Sequence, residues 1–106
     1  MKFPYVKNLI SNSGNAVANQ FKVEIDNVEY YQSYESLILA IDRLNNKILI
    51  DKTYFCYSTT TSKYQSWFIG EEILKEIKKR FKKGNLETFE YNYWTIEFTD
   101  LNPLPY

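Results

Sequence analysis

The chain has 106 residues, among them 10 Tyr, 7 Phe, 2 Trp and no His, so it can bury one modest core but lacks the commonest general base, neutral metal ligand and pH switch. A Ser-His-Asp or Cys-His centre is excluded, and the single Cys56 excludes an intrachain disulfide and a multi-cysteine zinc site. The 13 basic and 13 acidic residues cancel, which removes any bulk attraction to nucleic acid or to a membrane.

After a short apolar start, Ser11-Asn12-Ser13-Gly14-Asn15 collects turn formers and reads as a loop. Phe21, Val23 and Ile25 alternate with Lys22, Glu24 and Asp26, the period of a half-buried strand, and Val28 to Gln32 continues as a second one. Asp26-Asn27 between them suits a tight hairpin turn. The spacing of Leu37, Ile38, Ile41 and Leu44 predicts a helix over 34–44, with Ser33 as N-cap and Asn45-Asn46 as its end. Lys47 to Asp51 and Tyr54 to Ser58 are rich in β-branched and aromatic residues and read as strands.

From Lys63 to Lys83 the pattern is helical again: Tyr64, Trp67 and Phe68 form one apolar face, and Ile73, Leu74, Ile77 and Phe81 form the next. Gly70 between them predicts a kink or two consecutive helices. Gly84 is the expected C-cap, while Glu71-Glu72 and Lys82-Lys83 complement the helix dipole. Glu87 to Tyr91 and Tyr93 to Thr99 read as strands, followed by a proline-stiffened tail. The expected architecture is α+β in a single domain, residues 1–106: a mainly antiparallel sheet of about five or six strands packed against two or three helices. No run is apolar enough for a signal peptide or a membrane helix, so a soluble cytoplasmic protein without a membrane partner is expected.

Three features carry possible chemistry. Thr59, Thr60, Thr61, Ser62 and Lys63 lead into a helix, where free amides, hydroxyls and a lysine suit an anion; the plainer reading is that Thr61 or Ser62 caps the helix. Lys75, Lys78, Lys79, Arg80, Lys82 and Lys83 form a basic face followed by a C-terminal stretch with four acidic and no basic residues, so the molecule is bipolar. That face suits either a partner surface or single-stranded nucleic acid, and otherwise it is a solvated helix surface. The third is the aromatic surplus. Phe21, Phe55, Trp67, Phe68, Phe81, Trp94 and Phe98 are expected in the core, whereas Tyr30, Tyr31, Tyr34, Tyr91, Tyr93 and Tyr106 are expected at the surface, with Tyr91 and Tyr93 as partner anchors. Cys56 reads as an inert residue of an apolar strand. No catalytic residue, metal site or cofactor is assigned.

Val17-Ala18-Asn19-Gln20-Phe21, Tyr31-Gln32-Ser33-Tyr34 and Tyr57-Ser58-Thr59-Thr60-Thr61-Ser62-Lys63-Tyr64 with Phe68-Ile69-Gly70 occur in that order. Together they resemble a family of small uncharacterised proteins encoded by bacteriophages and other mobile elements, with Ile69 in place of the usual Leu. The resemblance covers residues 17–70 and makes the part after Gly70 look like an extension. It implies provenance, and with it a host-takeover or anti-defence role of the anti-CRISPR kind. The expected function is therefore non-enzymatic binding and inhibition of a host protein or ribonucleoprotein complex; the alternatives are single-stranded nucleic-acid binding and a small anion at Thr59 to Lys63.

Overall fold

Seven strands and two helices build the fold in the computed structural model, which describes residues 5–11, 13–56 and 59–102, without the side chains of Tyr5 and of residues 59–62. They run β1 (Tyr5–Ile10), β2 (Ala16–Ile25), β3 (Val28–Ser33), β4 (Ser36–Asp42), β5 (Lys47–Asp51), α1 (Thr59–Ile69), α2 (Glu71–Lys82), β6 (Phe89–Tyr91) and β7 (Trp94–Thr99). All seven strands join one sheet in the order β1-β2-β3-β4-β5-β7-β6. Every neighbouring pair is antiparallel except β5 and β7, which the two helices connect as a crossover. The class is α+β, with a somewhat larger sheet than the sequence suggests.

Local chemistry explains the hairpins. Asp26, Asn46 and Asn92 sit in three of the hairpin turns with φ of 53°, 53° and 56°, a region that Asn and Asp tolerate better than other side chains; Tyr34 takes the same region, at φ 56°, in the turn between β3 and β4. Strand register then aligns two apolar rows: Tyr31, Leu39, Ile50 and Phe98, and beside them Ile41, Ile48, Ile96 and Phe89. Because successive strand residues alternate between faces, both rows share one face, and α1 and α2 cover it. Phe68 of α1 stacks on Tyr31 at 5.1 Å, and Phe81 of α2 meets Phe55 at 5.2 Å and Phe98 at 6.3 Å. Burial of each such side chain contributes about 1.5–3 kcal/mol.

Four local expectations are corrected. Residues 36–42 form β4 rather than a helix: Ile38, Leu39, Ala40 and Ile41 are all buried between β3 and β5, and a strand covered on both faces loses the period-two signature. Leu44, the last member of the supposed helical face, is at the hairpin tip and 74 % exposed. Of the strand expected over 54–58, residues 54–56 are turn, continuous with 52–53, because the Asp51 carboxylate accepts the Thr53 and Tyr54 N–H groups and draws the backbone out of the ladder; Cys56 therefore lies in that turn, at φ 56°, and Tyr57 and Ser58 lie outside the described residues. Tyr31 is fully buried under Phe68, whereas Trp67 is 41 % exposed. The helix begins at Thr59, so Thr61 and Ser62 are within it rather than at the N-cap position.

Candidate functional site

Gly70 adopts φ 80° and ψ 159°, a conformation that favours glycine, and so separates α1 from α2. Its N–H still closes α1 on Ser66, and its carbonyl receives the Leu74 N–H to start α2. On α1 the inward arc is Tyr64, Gln65 and Ile69, which are buried, with the partly buried Phe68. Gln65 fixes this arc to the preceding turn: its Oε1 accepts the Cys56 N–H at 2.8 Å and its Nε2 donates to Cys56 Sγ at 2.9 Å. On α2 Leu74 and Ile77 point into the core. The residues left facing out across the helix pair are Lys63, Ser66 and Trp67 on one wall and Glu71, Lys75 and Lys78 on the other, with Leu74 beneath.

These side chains line a groove of about 680 Å³. Its charge is unbalanced, since three lysines face one carboxylate, and among the described residues none of the three lysines makes an ion pair. Trp67 packs edge-to-face on Tyr64 with ring centres 4.6 Å apart, which holds the indole in place while leaving it accessible. A second recess of about 270 Å³ also touches Trp67 and contains Lys22, Glu29 and Arg43. Its charges are mutually satisfied, with Lys22 at 3.1 Å from Glu24 and 3.5 Å from Glu29, and Arg43 at 3.4 Å from Glu29. The hydrogen bond to Glu24 holds the Lys22 ammonium above the usual lysine range, against an opposing effect of burial.

The groove unites residues that the sequence presents as two features, Lys63 of the hydroxyl-rich run and Lys75 and Lys78 of the basic face. Lys79, Lys82 and Lys83 are exposed but do not line it. Lys82 instead borders, with Lys78, a recess of about 230 Å³ beside Phe55, Cys56 and Phe81. Arg80 is engaged internally: its Nε donates to Glu76 at 3.2 Å and its Cζ lies 3.8 Å from the centre of the Phe89 ring. Tyr91 is half-buried against the core, and Tyr93 is 72 % exposed on the β6–β7 hairpin; neither lines the groove. The side chains of Thr59, Thr60, Thr61 and Ser62, expected to help hold an anion, lie outside the described residues. Trp67 is the residue that sequence reasoning misplaced. Counting Gln65 and Ile69 with Tyr64 and Phe68, at about 100° per residue, turns the buried arc away from Trp67.

Among the described residues no cluster of three or more Cys, Asp or Glu side chains is placed to hold a metal ion, and no helix is long and apolar enough to cross a membrane. A family profile matches residues 5–84, three-quarters of the chain. The chain belongs to DUF8033, a family of unknown function. No curated protein and no solved structure matches it.

The DUF8033 region runs from β1 through α2, so the basic helix belongs to the family's extent and is not an extension after Gly70; β6 and β7 lie beyond the match. Within that region, several residues that carry the sequence resemblance have structural work. Tyr31 donates from its hydroxyl to Gln20 Oε1, and Gln20 Nε2 donates to Ser33 Oγ at 3.0 Å, all three side chains being buried. With Phe68 stacked on Tyr31, this network is the platform on which α1 rests.

Proposed function

We propose that this DUF8033 protein is a non-enzymatic binding protein of bacteriophage or other mobile-element origin, which sets its α1/α2 groove against a host protein or ribonucleoprotein complex in the cytoplasm and blocks it. The observation that carries this reading is the convergence, on one exposed tryptophan, of three lysines that make no ion pair among the described residues. Tryptophan is among the residues most enriched in binding hot spots, and lysines around it steer an acidic surface and fix its orientation. The origin rests on the sequence resemblance.

Retention of partners from a bacterial lysate tests the reading. The parent protein is expected to hold a partner that a Lys63→Glu/Lys75→Glu/Lys78→Glu variant releases, and to lose its phenotype in the host with the same changes. Retention and phenotype indifferent to all three substitutions overturn it.

A second reading, single-stranded nucleic-acid binding, is favoured by one feature: an accessible indole beside cations is also a stacking platform for a base. Titration with labelled oligonucleotides at two salt concentrations separates the two, because phosphate contacts weaken steeply as salt rises.

A further inference from the structure

We infer that the occupant of the α1/α2 groove is a short acidic protein segment that carries one aromatic or large aliphatic side chain between its carboxylates; this rests on the docking role proposed above. The charge of the lining selects the sign. Lys63 on one wall and Lys75 and Lys78 on the other outnumber the single carboxylate of Glu71; none of the three makes an ion pair within the described residues, and Lys63 lies 5.3 Å from the centre of the Tyr64 ring. The apolar part of the lining selects the anchor. Trp67, held by Tyr64 and 41 % exposed, shares the lining with the buried Leu74, so an apolar side chain that settles against the indole leaves water on that face. A volume of about 680 Å³ falls within the range of about 300–1,000 Å³ typical of ligand clefts and suits a few side chains.

A nucleic-acid strand fits this lining less well. Among the described residues Trp67 is the one aromatic ring that lines the groove, whereas a strand uses successive platforms for successive bases. No arginine lines it, and Arg80 is held by Glu76 and Phe89.

Trp94→Phe leaves Trp67 as the sole tryptophan, and its emission then reports on the groove. In that background the probes are a synthetic heptapeptide of Asp and Glu residues flanking one Phe, the same peptide with Ala for Phe, and a short oligodeoxythymidylate. Saturable binding of the Phe peptide is expected, weaker by about tenfold or more for the Ala peptide and by a similar factor for the Lys75→Glu/Lys78→Glu variant. Trp67→Ala, followed by calorimetry, is expected to lose the preference for Phe over Ala, and circular dichroism confirms that each variant is folded. Tighter binding of the oligodeoxythymidylate than of the Phe peptide at equal salt overturns the inference, as does equal binding of the two peptides. If no peptide binds while capture of a lysate partner still depends on the groove lysines, the acidic segment is wrong and the docking role stands; if capture ignores those lysines too, both fall.

Discussion

The Arg80 guanidinium lies 3.8 Å from the centre of the Phe89 ring while its Nε is bonded to Glu76 one helical turn earlier. This stacked cation links α2 to β6, whereas among the described residues no ion pair joins the basic helix to the acidic C-terminal hairpin. Arg80→Ala removes the cation–π contact and the i,i+4 pair together and is expected to cost about 1–2 kcal/mol of stability. Urea unfolding measures the loss. Peptide binding in the groove is expected to stay unchanged, which distinguishes Arg80 from Lys75 and Lys78.

Asp51 is 1 % exposed, yet its carboxylate is fully engaged. Oδ2 accepts the N–H groups of Thr53 and Tyr54 at 3.0 and 2.8 Å, and Oδ1 accepts the Leu101 N–H at 2.8 Å and Asn102 Nδ2 at 3.1 Å. Asn102 in turn clamps the start of β4, accepting the Leu37 N–H at 2.7 Å and donating to the Leu37 carbonyl at 2.9 Å. Asp51→Ala strips four donors of their acceptor and is expected to cost about 2–4 kcal/mol. Asn102→Ala costs less. The double variant is expected to lose less than the sum, since the two side chains share a bond; denaturant titration of the four proteins completes the cycle.

Gly70→Ala probes the break between the helices. An added Cβ meets nothing within 4 Å, so its cost is conformational, about 1–3 kcal/mol for a non-glycine residue held in this region. Relief of that strain shifts α2 against α1 and separates the two walls of the groove. A lower melting temperature and weaker peptide binding are both expected, and an unchanged melt refutes the strain.

Asp42 gives the β4–β5 hairpin an acid-sensitive latch. Asn45 donates to it from its backbone at 3.2 Å and from its side chain at 2.8 Å, and the side-chain bond first of all holds the carboxyl below the ordinary carboxylate value. A folded value below the unfolded one stabilises the protein fully above the unfolded value, and the contribution disappears as pH falls through the lowered folded value. Lys22 behaves oppositely: its raised folded value contributes fully below the usual lysine value, and the contribution is lost as pH rises through the raised folded value. Melting temperatures across pH are therefore expected to separate the parent from Asn45→Ala near neutrality and to converge in acid.

The parts legible in advance are those governed by near neighbours. The alternation of Phe21, Val23 and Ile25 and of Trp94, Ile96 and Phe98 marks β2 and β7, and Gly70 marks the helix break, because period and backbone freedom are properties of a few adjacent residues. β4 escaped this logic: apolar on both faces, it carries no period that separates a central strand from a helix. Tyr31 and Trp67 exchanged their expected places for a related reason, since what stacks on Tyr31 is Phe68, 37 positions along the chain.

Composition and local pattern by themselves determined that this chain has no imidazole to work with, that it folds as α+β, and that its positive charge gathers on residues 63–83. Lys63, Lys75 and Lys78 were each visible there as cations. Their meeting around an exposed Trp67 was decided only by the tertiary structure. That convergence depends on how far each helix rotates as Gln65, Ile69, Leu74 and Ile77 are buried together, and the rotation is set by a shared core rather than by either helix alone.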